Sequence, residues 1–341
     1  MVARRVFILK EVLTMLVINE KEIMHTYKMQ DAIRDVKDVL KAKAANKIAN
    51  PHRTVIEFPQ HEASALYMPS ADLVGEVTAV KVVTIFPNNP VQGKPTTQGV
   101  VLLSDAKNGE HLAMLNASYL TRLRTGALSG IATDYLAKKD SKVLTVIGTG
   151  AMAFEQVLAV LAVRSIERII LVNRTSSKAE RFGQKLADFG VNIPYEVFVD
   201  VSAAVSQADI ICCATRSNEP VFNGNDLKPG THINGVGSYL PHMLEMDVAT
   251  ITKSSKIVVD DIAGVKDEAG ELMYADKIGK WSFEEVHGEI GKLVTGELNG
   301  REQEQEITLF KSVGAAYYDL AVAKGVYVKA KAQKIGTEID V

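Results

Sequence analysis

Gly148, Gly150 and Ala153 stand at Gly-x-Gly-x-x-Ala spacing between an apolar run at 143–147 and a helical pattern. The continuous apolar run reads as a buried parallel strand. After it, Gly148 permits a tight turn and Gly150 lets the backbone come close to a ligand. Ala153 is small enough for a helix to pack against the strand. The free N–H groups and positive end of that helix suit a pyrophosphate. A second apolar run at 169–172 completes a strand–turn–helix–strand unit, so the spacing predicts a dinucleotide site rather than a plain tight turn. After this second run, Asn173 stands where an acidic residue would accept bonds from the ribose hydroxyls, and Arg174 follows. A neutral Asn does not repel a 2′-phosphate, and an Arg can pair with one. The expected cofactor is NADP(H), with NAD(H) as the alternative and a solvated strand-end arginine as the plain reading of Arg174. Gly148, Gly150, Ala151, Met152, Asn173, Arg174 and Thr175 form the expected cofactor-binding turn.

A second group of residues suggests proton transfer and anion binding. In the run 77–85 one strand face carries Val77, Ala79, Lys81, Val83 and Ile85. A lysine in the middle of an apolar face is costly unless it is paired or does chemistry. Burial and nearby cations would lower its pKa and suit it to protonate or polarise a carbonyl or imine. The alternative is a strand that meets solvent there, or a lysine whose ammonium reaches the rim. Arg122 and Arg124 lie two apart in a helical pattern, so at most one of them faces a given site. Arg53 opens a strand pattern after a proline-terminated helix. Arginines bind carboxylates bidentately; Arg53 and Arg124 gain meaning as a set with Lys81.

The elements that must position these residues fall into two regions of a 341-residue chain, a length that suits two domains. Asn19 with Glu22 has capping-box spacing, and helical periodicity at Ile33, Val36, Leu40 and Ala44 is expected to end at Asn50-Pro51. Strand patterns follow at 53–58, 64–68, 77–86, 99–103 and 112–115, with a turn signal at Asn108-Gly109. This is an α+β region with a mostly antiparallel sheet. A helix marked by Leu120, Leu123, Ala127, Ile131 and Tyr135 leads onward. Strands at 196–199, 209–214, 232–236 and 256–259 then alternate with helices, which predicts a doubly wound parallel sheet. Helical patterns follow Phe283 and run over 312–331, the last expected to pack back on the first region and make it discontinuous.

Composition narrows the classes. A net charge of −2 gives no basic excess, which argues against nucleic acid as a partner. The only cysteines, Cys212 and Cys213, are adjacent in an apolar run and read as buried strand residues of a reducing compartment. No Cys/His spacing suggests zinc, so no metal is expected. Met152, Met243, Met246 and Trp281 read as packing residues, Met152 also lying on the expected cofactor turn. No apolar run is long enough to span a membrane. Residues 1–14 are basic and apolar but short, interrupted by Lys10 and Glu11, with no small-residue cleavage site. They read as an upstream start or a loosely held arm, with Met15 opening the first domain, and the expected location is cytoplasmic.

These residues lie in longer motifs: KVVTIFPNNP at 81–90, PTTQGVVLLSDAKNGEHLAMLNASYLTRLRTGALSGIA at 95–132, VIGTGAMA at 146–153, ADIICCATRSNEPVF at 208–222, INGVGSYLPHMLEMD at 233–247 and LFKSVGAAYYDLA at 309–321. With them the sequence resembles the ornithine cyclodeaminase/mu-crystallin family over 15–331. The resemblance implies a Rossmann domain at 126–312 that holds a nicotinamide cofactor. It implies a second, discontinuous α+β domain, 15–125 with 313–341, that holds substrate and forms a homodimer. Lys81 would contact the reacting carboxylate or imine and donate a proton. Arg124 would bind the substrate carboxylate, and Arg53 looks like the second carboxylate-binding arginine. Thr96, Thr215, Val236, Gly237 and Ser312 look like cofactor or nicotinamide contacts.

One departure from the family pattern directs the functional expectation. Ornithine cyclodeaminases carry an aspartate shortly after the Val-Gly of the INxVG segment, matched to the distal amine. Here the stretch reads Val236-Gly237-Ser238-Tyr239. The leading expectation is therefore an NAD(P)-dependent oxidoreductase acting on the CH–NH2 or C=N group of a small α-amino or α-imino acid, of the alanine dehydrogenase or ketimine reductase kind. The alternatives are a cyclodeaminase that recycles its cofactor internally and a mu-crystallin-like binding protein for small ligands.

Overall fold

The computed structural model describes residues 13–341. Residues 1–12 of the expected N-terminal extension lie outside the described residues. The first strand begins at Thr14, one residue before the expected domain start.

The described residues form two eight-stranded sheets. The first contains β1 (Thr14–Ile18), β2 (Ile48–Ala49), β3 (Thr54–Phe58), β4 (Ala63–Asp72), β5 (Val77–Ile85), β6 (Thr97–Asp105) and β7 (His111–Asn116). The second holds β8 (Val143–Ile147), β9 (Arg168–Val172), β10 (Tyr195–Phe198), β11 (Ile210–Cys213), β12 (His232–Gly235), β13 (Lys256–Val259), β14 (Gly288–Glu289) and β15 (Thr308–Lys311). The last strand, β16 (Thr337–Asp340), returns to the first sheet.

In the first sheet the order is β16-β1-β7-β6-β5-β4-β2, with β3 also on β4. Every pair is antiparallel except β1 with β7. Strand β4 is longer than expected because it tolerates Pro69. That residue falls between the stretch paired with β3, which ends at Tyr67, and the stretch paired with β2, which starts at Ala71. A proline N–H is not needed on that side. Lys81 sits mid-strand in β5, opposite Met68 and Val101.

Two helix boundaries differ from expectation. The capping box forms, with Asn19 Oδ1 accepting from Glu22 N and Glu22 Oε2 accepting from Asn19 N. The helical stretch behind it splits into Glu20–Thr26 and Met29–Ala44. It ends before Asn50 because Asn46 turns to positive φ and Ile48 and Ala49 pair with β4. The last helix starts at Ala316 rather than 312. Gly314 has φ +90, and the N–H groups of Val313 and Gly314 are taken by Asp260. The helix Ala316–Gln333 packs on the first sheet beside Met29–Ala44 and the long helix Ala117–Leu136.

The second sheet is parallel throughout, in the order β10-β9-β8-β11-β12-β15-β13-β14. Its two faces carry separate apolar clusters. Leu144, Val146 and Cys212 lie on one, Ile147, Ile211 and Cys213 on the other, so the two free cysteines are buried back to back. From β8 the chain moves outward to β9 and β10, then returns to β11 on the other side. The strand order thus reverses between β8 and β11, where open parallel sheets place ligands beyond the carboxyl ends of their strands.

Candidate functional site

The turn after β8 is built to receive a phosphate. Gly148 has φ +87, a conformation costly to any side chain, and a Cβ there would lie 2.6 Å from Thr215 Cγ2. No atom lies within 4 Å of a Cβ built on Gly150, so the backbone faces open space. Gly150 caps the helix Ala151–Leu161 without a side-chain hydrogen bond, and Thr149 Oγ1 is buried without a partner. Free N–H groups, a positive helix end and an unsatisfied hydroxyl fit the pyrophosphate of a dinucleotide. Asn173 ties this turn to the end of β9: its Oδ1 accepts from Thr149 N at 3.4 Å, and its Nδ2 donates to Thr175 O at 3.0 Å. Arg174 and Thr175 are exposed beside it, Arg174 without a hydrogen bond or ion pair among the described residues. Ala151 is exposed and Met152 half-buried at the helix start.

Across the reversal point, one carboxylate organises the next two loops. Glu245 accepts from Thr215 N at 2.5 Å, Thr215 Oγ1 at 2.8 Å, Gly237 N at 2.7 Å and Ser238 N at 3.1 Å. Val236 is buried and donates its N–H to Cys213 O. A Cβ on Gly237 would come within 2.1 Å of Thr215 O, so the two loops touch through their backbones. Ser238 is fixed from below by the buried pair Lys311–Glu271, 2.9 Å apart.

The substrate side assembles from distant parts of the chain. Lys81 is 4% exposed, and its Nζ lies 2.6 Å from Oδ2 of Asp319, which is 1% exposed. Arg124 approaches the same carboxylate, Nε to Oδ1, at 3.6 Å. Both that Nε and that Oδ1 are buried without hydrogen bonds. A Cβ on Gly314 would stand 2.7 Å from Arg124 Nη2, so only glycine fits between the guanidinium and the turn. Arg53 Nη2 donates to Gly314 O at 2.8 Å, and Nη1 lies 3.4 Å from Glu268 Oε1. The turn itself is held by Asp260, which accepts from Ser312 Oγ, Val313 N and Gly314 N. Burial raises the pKa of Asp260, opposed by these hydrogen bonds and by Arg124.

Lys81, Arg124, Arg53 and Ser312 thus meet at the turn that leaves β15. Burial lowers the Lys81 pKa to about 8, Asp319 opposing the shift and Arg124 and Arg53 adding to it. Of the two arginines in one helix, Arg122 faces elsewhere and pairs with Glu20 at 2.6 Å and Glu155 at 3.4 Å. Thr96 does not join the group. It lies at the end of the β5–β6 ladder, beyond Ile85 and Thr97, where its carbonyl accepts from Phe86 N.

The profile of the ornithine cyclodeaminase/mu-crystallin family matches residues 14–334. The chain belongs to this family. It is a nicotinamide-dependent oxidoreductase of this family, as its full-length relatives are. It is 42% identical over 327 residues to a Delta(1)-pyrroline-2-carboxylate reductase of Bacillus cereus, covering 96% of this chain and all of the relative. The Delta(1)-pyrroline-2-carboxylate reductase of Thermococcus litoralis, solved with NADH and L-proline, superposes with a TM-score of 0.91 at 37% identity, covering 95% of this chain and 100% of that one. An archaeal alanine dehydrogenase dimer with bound NAD gives a TM-score of 0.88 at 34% identity, covering 96% and 99%.

Two acidic residues of this family member escaped the sequence reading. Asp319 and Asp260 are each buried, and each gathers groups from remote segments. The available signal was an aspartate inside the apolar stretch AAYYDLAVA, the same anomaly that singled out Lys81. Tyr239 is half-buried against the apolar cluster on one face of the second sheet. The nearby carboxylates Glu245 and Asp247 are both engaged, the first by the two loops and the second as the cap of the helix Val248–Lys253.

Proposed function

We propose that this protein reduces a cyclic α-imino acid, Δ1-pyrroline-2-carboxylate, to proline. The observation that carries this reading is the convergence of Lys81, Arg124 and Arg53 on the glycine turn beyond β15, on the side of the parallel sheet where the dinucleotide turn opens. Two guanidiniums offer forked donors to one carboxylate. With that carboxylate fixed, the imine carbon and nitrogen lie beside Lys81. When bound, the nicotinamide supplies the hydride that adds to the imine carbon. Lys81 delivers the proton to the imine nitrogen, and Asp319 keeps its ammonium aimed and charged. Water is excluded because both partners of this pair are almost fully buried. The full-length likeness to reductases of this substrate favours it over alanine formation.

In this reading residues 15–125 and 313–341 hold substrate and pair two subunits, and 126–312 hold the cofactor. The cofactor is NADP(H) rather than NAD(H), on the neutral Asn173 and the free Arg174. Thr215, Val236, Gly237 and Ser312 line the nicotinamide end, and Thr96 stands apart from them at the end of the β5–β6 ladder.

Purified protein mixed with Δ1-pyrroline-2-carboxylate is expected to oxidise NADPH at a rate well above that with pyruvate and ammonia. Ornithine is expected to give no ammonia, since Tyr239 puts a phenol where the cyclodeaminase pattern has a carboxylate, and the neighbouring Glu245 and Asp247 are committed. Ammonia release from ornithine without imine reduction would replace this reading with cyclodeamination.

A further inference from the structure

Arg53 has a second partner that the reaction does not use. It stands just before β3 in the first sheet, whereas Glu268 is the last residue of the helix Ile262–Glu268 behind the second sheet. The contact therefore bridges the two halves of the molecule across the substrate site. It is loose: the 3.4 Å separation between Nη1 and Oε1 exceeds the ~2.7–2.9 Å of a tight charged hydrogen bond. The other oxygen, Oε2, is buried without any hydrogen bond. Both side chains keep under a fifth of their surface exposed.

We infer that Glu268 is a built-in competitor of the substrate: its carboxylate holds Arg53 until the carboxylate of the incoming imino acid displaces it. This rests on reading Arg53 as a carboxylate-binding residue. The two carboxylates want the same guanidinium, and Glu268 is the weaker claimant once a substrate can bind Arg53 and Arg124 together. The charges around Glu268 set how hard it competes. Arg53 favours its ionised form. Asp260 and Asp261 at the end of β13, and Asp267 on its own helix, oppose it, as does its place at the negative end of that helix. Burial is the largest influence, and together these groups push Glu268 up to about 7. Below that pH it is neutral and releases Arg53; above it, the ionised carboxylate occupies the site.

The test is binding of L-proline to the NADPH-loaded protein by titration calorimetry at pH 6 and pH 8, where this pair of ligands gives no turnover. A competitor about nine-tenths ionised at pH 8 reduces the competent fraction to roughly one-tenth. The wild-type Kd is therefore expected to rise by up to about tenfold from pH 6 to pH 8, beyond the rise in Glu268→Gln. Lys81 also titrates in this window, but its effect is common to both proteins and cancels in the ratio. Glu268→Met provides a second variant without the carboxylate, and melting curves establish that each variant is folded. A wild-type Kd independent of pH, or the same slope in the variants as in the wild type, overturns the inference. Arg53→Met separates it from the functional reading. If that variant binds proline as well as the wild type, the assignment of Arg53 fails. If it binds weakly while Glu268→Gln keeps the wild-type slope, only the competitor is wrong.

Discussion

Lys81 illustrates how a residue becomes a proton donor by placement rather than by type. An exposed lysine holds its proton too firmly for efficient transfer at neutral pH. Here burial and two arginines lower its pKa to about 8, and Asp319 keeps the shift from going further. Imine reduction consumes a proton, so it needs the ammonium form, which predominates below about pH 8. The rate of reduction is expected to fall as pH rises through that value, and proline oxidation, which needs the free amine, to rise. Initial rates from pH 6 to 10 in both directions check the sign. Lys81→Ala should lower kcat by about 100-fold or more while fluorescence titration finds cofactor affinity unchanged, since the phosphate turn lies on the other sheet. Asp319→Asn makes a sharper prediction. With its opposing charge gone, Lys81 should titrate lower still, moving the falling limb of the reduction profile to more acid pH. A change in melting temperature with an unmoved limb would reduce Asp319 to a structural role. Lys81 was conspicuous in the sequence because strand alternation exposes a misplaced charge. Asp319 was not, because it lies 238 residues away and its meaning appears only once its helix packs on β5.

At the scale of elements, what was legible followed from local spacing, and what was hidden followed from pairing at a distance. The turn at Gly148 could be read because positive φ and close backbone approach leave glycines at fixed positions. Strand β15 could not: it spans Thr308–Lys311 and inserts between β12 and β13, although it follows both in the chain. Nothing in a four-residue segment reports that crossover, yet it is the crossover that carries Ser312 and Gly314 to the arginines. Strands β1 and β16 escaped for the same reason, being short segments that pair with each other and with β7. The end of β9 supports a prediction at this scale. Asn173 spends its amide on Thr149 and Thr175, which fixes the strand end and leaves Arg174 free at the surface. Arg174→Ala should weaken NADPH by about tenfold or more and barely affect NADH, since only the former has a ribose 2′-phosphate to pair with. Equal affinities of the wild type for the two cofactors would end the argument for NADP(H).

The whole molecule leaves one face unfinished. The helices cover the side of the first sheet that carries Ala79, Lys81, Val101, Leu103 and Ala113. Register places Ile56, Tyr67, Val80, Val82, Val100, Leu102 and Met114 on the opposite side. All of these keep access to solvent in the single chain, with Ile56 46% and Val100 39% exposed. A contiguous apolar face of this kind marks an interaction surface. A second copy of the chain is the natural cover, since a two-fold pairing sets the same patch against itself. The protein is therefore expected to sediment and scatter as a dimer at micromolar concentration. Val82→Glu tests the surface that makes it. Val82 faces outward from the central strand β5, directly opposite Val100 on β6. Two copies of the new carboxylate would be buried without partners, at a cost of several kcal/mol each, more than most interfaces of standard size can absorb. The variant should scatter as a monomer and melt at a lower temperature that no longer rises with protein concentration. It should keep cofactor binding, because the dinucleotide turn belongs to the other sheet. A variant that stays dimeric would move the interface away from this face.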